Sequence, residues 1–224
     1  TEGYIGGSAY LPPFRDKCRI VPYGLEPKKY LEARLTPILS ERAAAKDSKK
    51  LLFVGRLVYY KGVGVLIDAF MRVNGGELFI VGKGSDEEAL RAQAEPLGGR
   101  VHFLGTLSDD DLRSAFADCD IFVLPSVEKS EAFGIVQLEA MIYGKPVINT
   151  DLDTSVPLVS LDGETGLTVK AGDAKELAEA MNRLVGDDEL CERLGNAARE
   201  RVLKEFTTDT MIERVKQHIS ELDP

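Results

Sequence analysis

Residues 51–84 read LLFVGRLVYYKGVGVLIDAFMRVNGGELFIVGKG, and this stretch decides the fold. It opens with a short apolar run at 51–55 and closes with another at 78–82. Apolar runs of this length are typical of strands that are buried on both faces of a sheet. Between the two runs, apolar residues recur at helical spacing: Val63, Leu66, Ile67 and Phe70. This order predicts a right-handed βαβ unit with parallel strands.

The same alternation continues towards the carboxyl end. Further strand-length apolar runs occupy 101–105, 121–124 and 146–149. Helix-start signals, in which an acidic residue follows a capping residue after three positions, begin at Ser85, Ser108 and Asp173. We therefore predict an α/β fold with a doubly wound, Rossmann-like parallel sheet.

The two ends of the chain differ from this middle part. After residue 172 no strand pattern follows, and three apolar helical patterns, the last ending at Leu222, are expected to cover the sheet and close the chain. Residues 1–45 combine turns, one extended piece and polar residues of mixed charge, which is typical of a connector. We predict an interdomain connector remnant at 1–45, with another segment before it, and one domain at 46–224.

The composition excludes several classes of function. Lys and Arg number 28 against 37 Asp and Glu, which gives a net charge of −9. This charge excludes nucleic-acid binding by bulk electrostatics, and contact of the domain with an anionic membrane is not expected. The sequence shows no apolar run of membrane-spanning length and no leader pattern. Three scattered cysteines and two histidines form no zinc-binding pattern and predict reduced thiols in the cytoplasm.

The loop after the first predicted strand contains two cations. Arg56 and Lys61 stand five positions apart between Gly55 and Gly62. Ligands of open parallel sheets bind at the carboxyl ends of strands, and Arg and Lys suit phosphate oxygens there. The loop is not a Walker A motif, because Tyr60 stands where that motif needs glycine. From this segment alone, a solvated turn with two surface cations is the simpler interpretation.

Two further patterns imitate known sites. The loop after the second predicted strand begins like a dinucleotide-binding fingerprint but has Glu87 in place of the third glycine, which disfavours a nicotinamide oxidoreductase. The pairs Asp118/Asp120 and Asp151/Asp153 have the Asp-x-Asp form of metal-dependent sugar transferases. Because neither pair has further ligands nearby in the sequence, turn and cap roles are favoured, and no metal site is expected.

The loop after the fourth predicted strand is the most informative. Glu131 precedes an apolar segment in which Glu139 is the single charge up to residue 144. A carboxylate in such surroundings needs hydrogen-bond donors, and the vicinal hydroxyls of a sugar supply them. The amides of residues 134–136, at the start of the predicted helix, favour an anion. Alternatively, Glu139 forms an ion pair with Arg56 or Lys61 and binds no ligand, which would still bring the two loops together.

Together these segments resemble one known family, the group 1, retaining, two-domain (GT-B) glycosyltransferases. The chain resembles the carboxyl-terminal, donor-binding half of that family from about residue 20 to residue 222. The motifs are IVPYG at 20–24, VGR at 54–56, KG at 61–62, FLG at 103–105, LPS at 124–126, EAFGIVQLEAM at 131–141, GKPV at 144–147 and GETGL at 163–167. The most specific is the pair of glutamates eight positions apart with Phe-Gly between them.

The resemblance implies roles for the singled-out positions. Arg56 and Lys61 would hold the diphosphate of a nucleotide sugar, and Glu131 would meet the donor sugar, so that these three residues carry catalysis without a metal. Glu139 would bind the ribose hydroxyls. The other donor-binding positions implied are Gly105 and Leu107, which with the loop 82–84 flank the base, and Gly134, Ile135 and Val136, whose amides meet the phosphates. Phe133 is a further donor-binding position. No cofactor is implied.

The sequence departs from the family in two respects. Residues 151–157 read DLDTSVP where the family has a glycine-rich loop, and this variant resembles a mannosyltransferase-like branch that acts in polysaccharide and O-antigen assembly. The acceptor-binding amino-terminal half is missing from these 224 residues. We expect that half to be the partner, this chain alone to be inactive, and the full enzyme to be cytoplasmic, peripheral at the inner face of the membrane. The alternative is a nucleotide or nucleotide-sugar binding module without chemistry of its own.

Overall fold

A computed structural model describes residues 2–45 and 47–221, and its centre is one sheet of six parallel strands in the order β3-β2-β1-β4-β5-β6. The strands are β1 (Lys50–Val54), β2 (Glu77–Val81), β3 (Val101–Gly105), β4 (Ile121–Val123), β5 (Val147–Thr150) and β6 (Gly166–Val169). Leu51 in β1 lies opposite Leu78 on one side and Ile121 on the other, and the strand order reverses between β1 and β4. This is the predicted doubly wound, Rossmann-like topology.

Helices connect the strands and cover both faces. The α-helices are α1 (Glu2–Gly7), α2 (Lys28–Leu31), α3 (Val63–Phe70), α4 (Glu87–Ala94), α5 (Asp109–Asp118), α6 (Ile135–Met141), α7 (Val156–Val159), α8 (Ala174–Val185), α9 (Asp188–Glu205) and α10 (Thr208–Ser220). Shorter 3₁₀ helices span Pro12–Lys17, Tyr59–Lys61 and Glu95–Arg100. Within the described ranges, none of the helices has the length and apolar character that crossing a membrane requires.

Both faces of the sheet are apolar. Successive residues of a strand point to opposite faces, so Leu51 and Phe53 share a core with α3, α4 and α8, whereas Leu52 and Val54 share the other core with α5, α6 and α7. Because β1 is buried on both sides, its sequence is a continuous apolar run and not an alternation. Helix α9 crosses from the first core to the second near the β6 edge.

The five predicted strands are confirmed to within one residue at each end. The sixth strand, β6, was not predicted. Its four residues, Gly-Leu-Thr-Val, directly follow a turn and include only two large apolar side chains, so the run is too short to stand out from a loop.

Two of the three predicted helix starts are confirmed. Ser108 Oγ accepts a hydrogen bond from the Asp111 amide (3.1 Å), and Asp173 Oδ1 caps α8 in the same manner. The cap predicted at Ser85 is wrong. Helix α4 begins one residue later than that cap requires, and the Ser85 hydroxyl donates instead to the side chain of Asp86 (2.7 Å).

The three predicted carboxyl-terminal helices are present, but only two cover the sheet. Helices α8 and α9 bury apolar residues in the core, whereas no described residue of α10 is buried. The α10 side chains of Ile212, Val215 and Ile219 are exposed. The prediction that the third helix covers the sheet is therefore wrong. Helix α9 already covers the β6 edge of the sheet, so α10 packs outside it. Leu222, the end of that pattern, lies outside the described residues.

The predicted connector packs against the domain. The Leu25 amide donates to Phe206 O (2.8 Å), and the Thr208 amide donates back to Leu25 O (2.9 Å). Farther along, the amides of Leu39 and Ser40 both donate to an Asp118 carboxylate oxygen at 2.7 Å. These hydrogen bonds fix the second half of residues 1–45 to the sheet-bearing part of the chain. The boundary at residue 45 stays a prediction.

Candidate functional site

Two of the predicted site loops meet above the carboxyl ends of β1 and β4, where the strand order reverses. Open α/β sheets bind ligands at such a switch point. A backbone hydrogen bond from Val127 N to Tyr60 O (2.9 Å) joins the loop after β4 to the loop after β1. The ligand-binding and the ligand-free interpretations both expected these two loops to lie together, and they do.

Gly62 allows the two loops to approach closely. It has a φ of +68° and lies between the 3₁₀ helix Tyr59–Lys61 and α3. A β-carbon at this position would lie 2.0 Å from Pro125 O, which is far inside van der Waals contact. Because neither the backbone angle nor the available space accepts a side chain, only glycine fits.

Lys61 and Glu131 form a buried ion pair across these loops. Lys61 Nζ lies 2.5 Å from Glu131 Oε2, and the two side chains are only 12% and 10% exposed. The Ser126 hydroxyl donates to the same carboxylate oxygen (3.0 Å). An ammonium group has three protons, so Lys61 retains donors for another acceptor. Glu131 Oε1 accepts no hydrogen bond from the described residues, so the pair presents both a donor and an acceptor.

Arg56, the third predicted catalytic residue, lies in the same loop and is exposed. Its Nη2 donates to the Tyr60 hydroxyl (2.8 Å), and the Tyr60 ring lies 5.7 Å from Arg56 Cζ and 5.5 Å from Lys61 Nζ. Arg56 forms no salt bridge to an acidic residue in the described part of the chain, so its charge is available to an anion. Sequence reasoning treated Tyr60 only as the residue that breaks a Walker A pattern, and missed this contact.

A cleft of about 340 Å³ lies beside Arg56, over the ends of β1, β2 and β3. Its lining includes Lys83, Thr106 and Leu107. The backbone beneath it is fixed, since the Gly82 amide donates to Gly105 O (2.7 Å). Of the two positions predicted beside the base, Leu107 lines the same cleft as Arg56, whereas Gly105 is linked to it only through its hydrogen bond with Gly82. Lys83 belongs to the loop 82–84 that the family resemblance places beside the base, although it was not itself singled out as a site residue.

A larger cavity, of about 560 Å³, opens on the other side of the β1 loop, against α3 and α4. Apolar side chains such as Val58, Val63 and Leu90 make up much of its lining, and none of the predicted site residues contributes to it. Arg56 and Lys83 line the smaller cleft instead, and the Tyr60 ring joins Arg56 to Lys61. We therefore assign the candidate site to that cleft and the adjoining Lys61–Glu131 pair.

The start of α6 lies close behind Glu131 in the chain. Gly134 precedes the helix with a φ of +71°, and a β-carbon there would lie 2.6 Å from the Leu124 side chain. The amides of Ile135 and Val136 make no backbone hydrogen bond with described residues, as is usual in the first turn of a helix. The predicted phosphate contacts of these amides are compatible with this arrangement.

Phe133 packs into the protein. Its ring is edge-on to Tyr23 (5.4 Å between centroids) and to Phe206 (6.2 Å). These contacts link the loop after β4 to the connector and to the end of α9. The ring therefore supports that loop, and its predicted contact with a donor stays a prediction.

Glu139, in α6, takes a partner that the sequence did not indicate. The Tyr30 hydroxyl donates to Glu139 Oε1 at 3.0 Å. Burial raises the pKa of Glu139, and the hydrogen bond from Tyr30 and the charge of Arg113 only partly offset this rise. Among the described ion pairs, none joins Glu139 to Arg56 or Lys61, so the ligand-free alternative of the sequence analysis is wrong in its choice of partner.

The aspartates of the two Asp-x-Asp pairs have structural partners, although these are long-range contacts and not the turn and cap roles that were predicted. Asp118, Asp120 and Asp151 accept hydrogen bonds from backbone amides, and Asp153 forms a salt bridge with Lys129 (2.6 Å). Across residues 2–45 and 47–221, no group of three or more His, Cys, Asp or Glu side chains could hold a metal ion.

A doubly wound sheet of six parallel strands with helices on both faces defines a Rossmann-like α/β domain of the kind found in GT-B glycosyltransferases. The chain belongs to the group 1 glycosyl transferases, whose family model matches residues 37–201. The family resemblance seen in the motifs is thereby confirmed.

The relatives extend the comparison. The chain is 34% identical over 214 residues to O-antigen chain mannosyltransferase C of Escherichia coli, a match that covers 95% of this chain and 57% of that relative. It is 35% identical over 208 residues to a D-rhamnosyltransferase of Pseudomonas aeruginosa, covering 92% and 54%. The chain thus spans about half the length of these relatives.

The fold has a solved counterpart in sucrose-phosphate synthase from Thermosynechococcus elongatus. The TM-score is 0.81 with 29% sequence identity, and the match covers 96% of this chain and 55% of that one. The predicted GT-B class is therefore confirmed by structure as well as by sequence.

Proposed function

We propose that this chain is the donor-binding domain of a retaining, metal-independent glycosyltransferase, which transfers a sugar from a nucleotide diphosphate sugar to a saccharide or lipid-linked acceptor. One observation carries the proposal: an exposed arginine and a lysine–glutamate pair adjoin at the switch point of the sheet. Phosphate-binding cations and a carboxylate for sugar hydroxyls are what this donor requires.

The diphosphate is the part of the donor that the cations suit. Arg56 offers a planar guanidinium free of acidic partners among the described residues, and Lys61 keeps protons beyond the one used by Glu131. As the glycosyl bond breaks, negative charge develops on the leaving phosphate, and fixed cations stabilise that charge. In this proposal Arg56 and Lys61 supply the stabilisation themselves.

The two glutamates suit the two sugars of the donor. Glu131 Oε1 would accept from a hydroxyl of the transferred sugar while Oε2 remains bonded to Lys61 and Ser126. Glu139 would accept from the ribose hydroxyls. The cleft over Gly105 and Leu107 would take the base. The names of the relatives, a mannosyltransferase and a D-rhamnosyltransferase, support a mannose-like donor sugar.

A second, acceptor-binding half completes the proposed enzyme. The longer relatives support this half as the partner, and we propose that the full enzyme works in the cytoplasm at the inner face of the membrane. Transfer requires donor and acceptor in near-attack geometry, and loss of that positioning removes on the order of 10⁵ M or more of effective molarity. The chain alone should therefore bind the donor and transfer no sugar at a useful rate.

The test is calorimetric titration of the chain with UDP, GDP, ADP and NAD. We expect at least one nucleoside diphosphate to bind and NAD not to bind. Binding of NAD alone would favour an oxidoreductase and contradict the proposal. Sugar transfer that appears when an amino-terminal half from a relative is added would separate the enzyme from a binding module without chemistry. Robust transfer by the chain alone would refute the half-enzyme proposal.

A further inference from the structure

The connector contributes a side chain to the surroundings of Glu139. Tyr30, in α2, donates its hydroxyl proton to Glu139 Oε1, 109 positions farther along the chain. The fold makes this contact, and no local sequence signal indicates it. Residues 1–45 were predicted to be an interdomain connector remnant, and no site residue was predicted among them.

Tyr30 is fixed by its neighbours. Its ring packs edge-on against Tyr143, with 6.1 Å between ring centroids, at the margin of the core that includes α5 and α6. The Tyr143 hydroxyl donates to Tyr30 O (3.0 Å), which holds the backbone as well. Burial raises the pKa of Tyr143 to about 12 and also raises the pKa of Tyr30, so both hydroxyls remain donors at neutral pH. A side chain held in this way is not readily displaced by a ligand.

Glu139 is left with one oxygen satisfied. Oε1 accepts from Tyr30, whereas Oε2 accepts no hydrogen bond from the residues that the structure describes. The charge of Arg113 favours the ionised carboxylate, but its guanidinium donates to Asp110 (2.6 Å). Among the described residues, Oε2 is not one of the buried atoms without a partner, so it reaches the surface, where a ligand hydroxyl can donate to it.

We propose that Tyr30 is a positioning residue of the donor site, whose hydroxyl fixes the Glu139 carboxylate so that Oε2 is presented to the ribose hydroxyls. The inference rests on the proposed function. By holding one carboxylate oxygen, the phenol restricts the terminal torsion of Glu139. The other oxygen then meets the ligand without the entropic cost of being ordered. Tyr30 acts through Glu139 and does not itself contact the nucleotide.

Calorimetry tests this role. It compares the wild-type chain with Tyr30→Phe and with the control Tyr10→Phe, which alters a residue that is 82% exposed. Two ligands are compared: whichever of UDP, GDP and ADP binds the wild type most tightly, and its 2′,3′-dideoxy counterpart. We expect Tyr30→Phe to weaken binding of the ribonucleotide about three- to tenfold and of the dideoxy compound less than about twofold. Tyr10→Phe should change neither. Melting temperatures report separately on folding.

A merely structural Tyr30 would give a different pattern. Equal losses for both ligands, or no loss for either, would overturn the inference and leave the proposed function standing. Tighter binding by Tyr30→Phe would also overturn it, because the phenol would then be a competitor of the ribose. If the wild type binds the two ligands equally tightly, the ribose hydroxyls contribute nothing to binding, and the inference is overturned. If the wild type binds none of the three diphosphates, the proposed function itself fails.

Discussion

Replacing Lys61 with methionine should destabilise the chain far more than the same replacement of Arg56, although both are cations of one loop. Lys61 is buried against Glu131, whereas Arg56 is exposed and bonded only to Tyr60 among the described side chains. Lys61→Met keeps the apolar stem but leaves the Glu131 carboxylate buried with Ser126 as its remaining donor. Breaking one side of a buried pair costs about 3–5 kcal/mol, because the other charge stays unpaired.

The size of this effect makes it easy to measure. A loss of about 3–5 kcal/mol is a large part of the roughly 5–15 kcal/mol that stabilises a typical domain. At about 2–4 °C per kcal/mol for a chain of this length, Lys61→Met should lower the melting temperature by roughly 6–20 °C. The exposed Arg56→Met change should stay within about 0.5 kcal/mol.

Urea and thermal denaturation, followed by circular dichroism, provide the assay. A double-mutant cycle with Glu131→Gln isolates the pair: the double variant Lys61→Met/Glu131→Gln should be more stable than Lys61→Met alone, because no unpaired charge remains. Equal destabilisation by Lys61→Met and Arg56→Met would refute the reasoning. Additive effects in the cycle would do the same.

Three further outcomes are expected. Arg56→Ala should weaken binding of a nucleoside diphosphate by about 1.5–3 kcal/mol and leave binding of the bare nucleoside unchanged, as calorimetry can measure. Burial raises the pKa of Glu139, so its ionisation in the folded state costs stability once the pH exceeds the unfolded value of 4.5. Glu139→Gln should therefore melt at a higher temperature than the wild type at pH 7 and at nearly the same temperature at pH 4; an equal difference at both pH values would contradict this. Gly62→Ala should lower the melting temperature, because its β-carbon meets Pro125 O, whereas Gly99→Ala, whose β-carbon meets nothing within 4 Å, should not.

The parts of the fold that local sequence controls were predictable. Strands β1 to β5 are continuous apolar runs because parallel strands are buried on both faces, and burial leaves its pattern in neighbouring residues. The caps at Ser108 and Asp173 join a side chain to an amide within three positions. The cap at Ser85 failed because Asp86 offers the serine hydroxyl another partner.

The partners within the site were not predictable from the sequence. Lys61 pairs with Glu131 and not with a glutamate eight positions later, and Glu139 pairs with Tyr30 from the connector. Each choice depends on how strands and helices are ordered in space, over separations of 70 and 109 positions. The motifs identified which residues carry the chemistry, and the topology determines which of them meet.

The contact between Leu25 and Thr207 has a mechanical consequence. These residues form a parallel bridge, and a β-carbon at Gly24 would lie 2.2 Å from Thr207 O, so the incoming and outgoing segments touch. A side chain at position 24 would therefore push the connector away from the segment that joins α9 to α10.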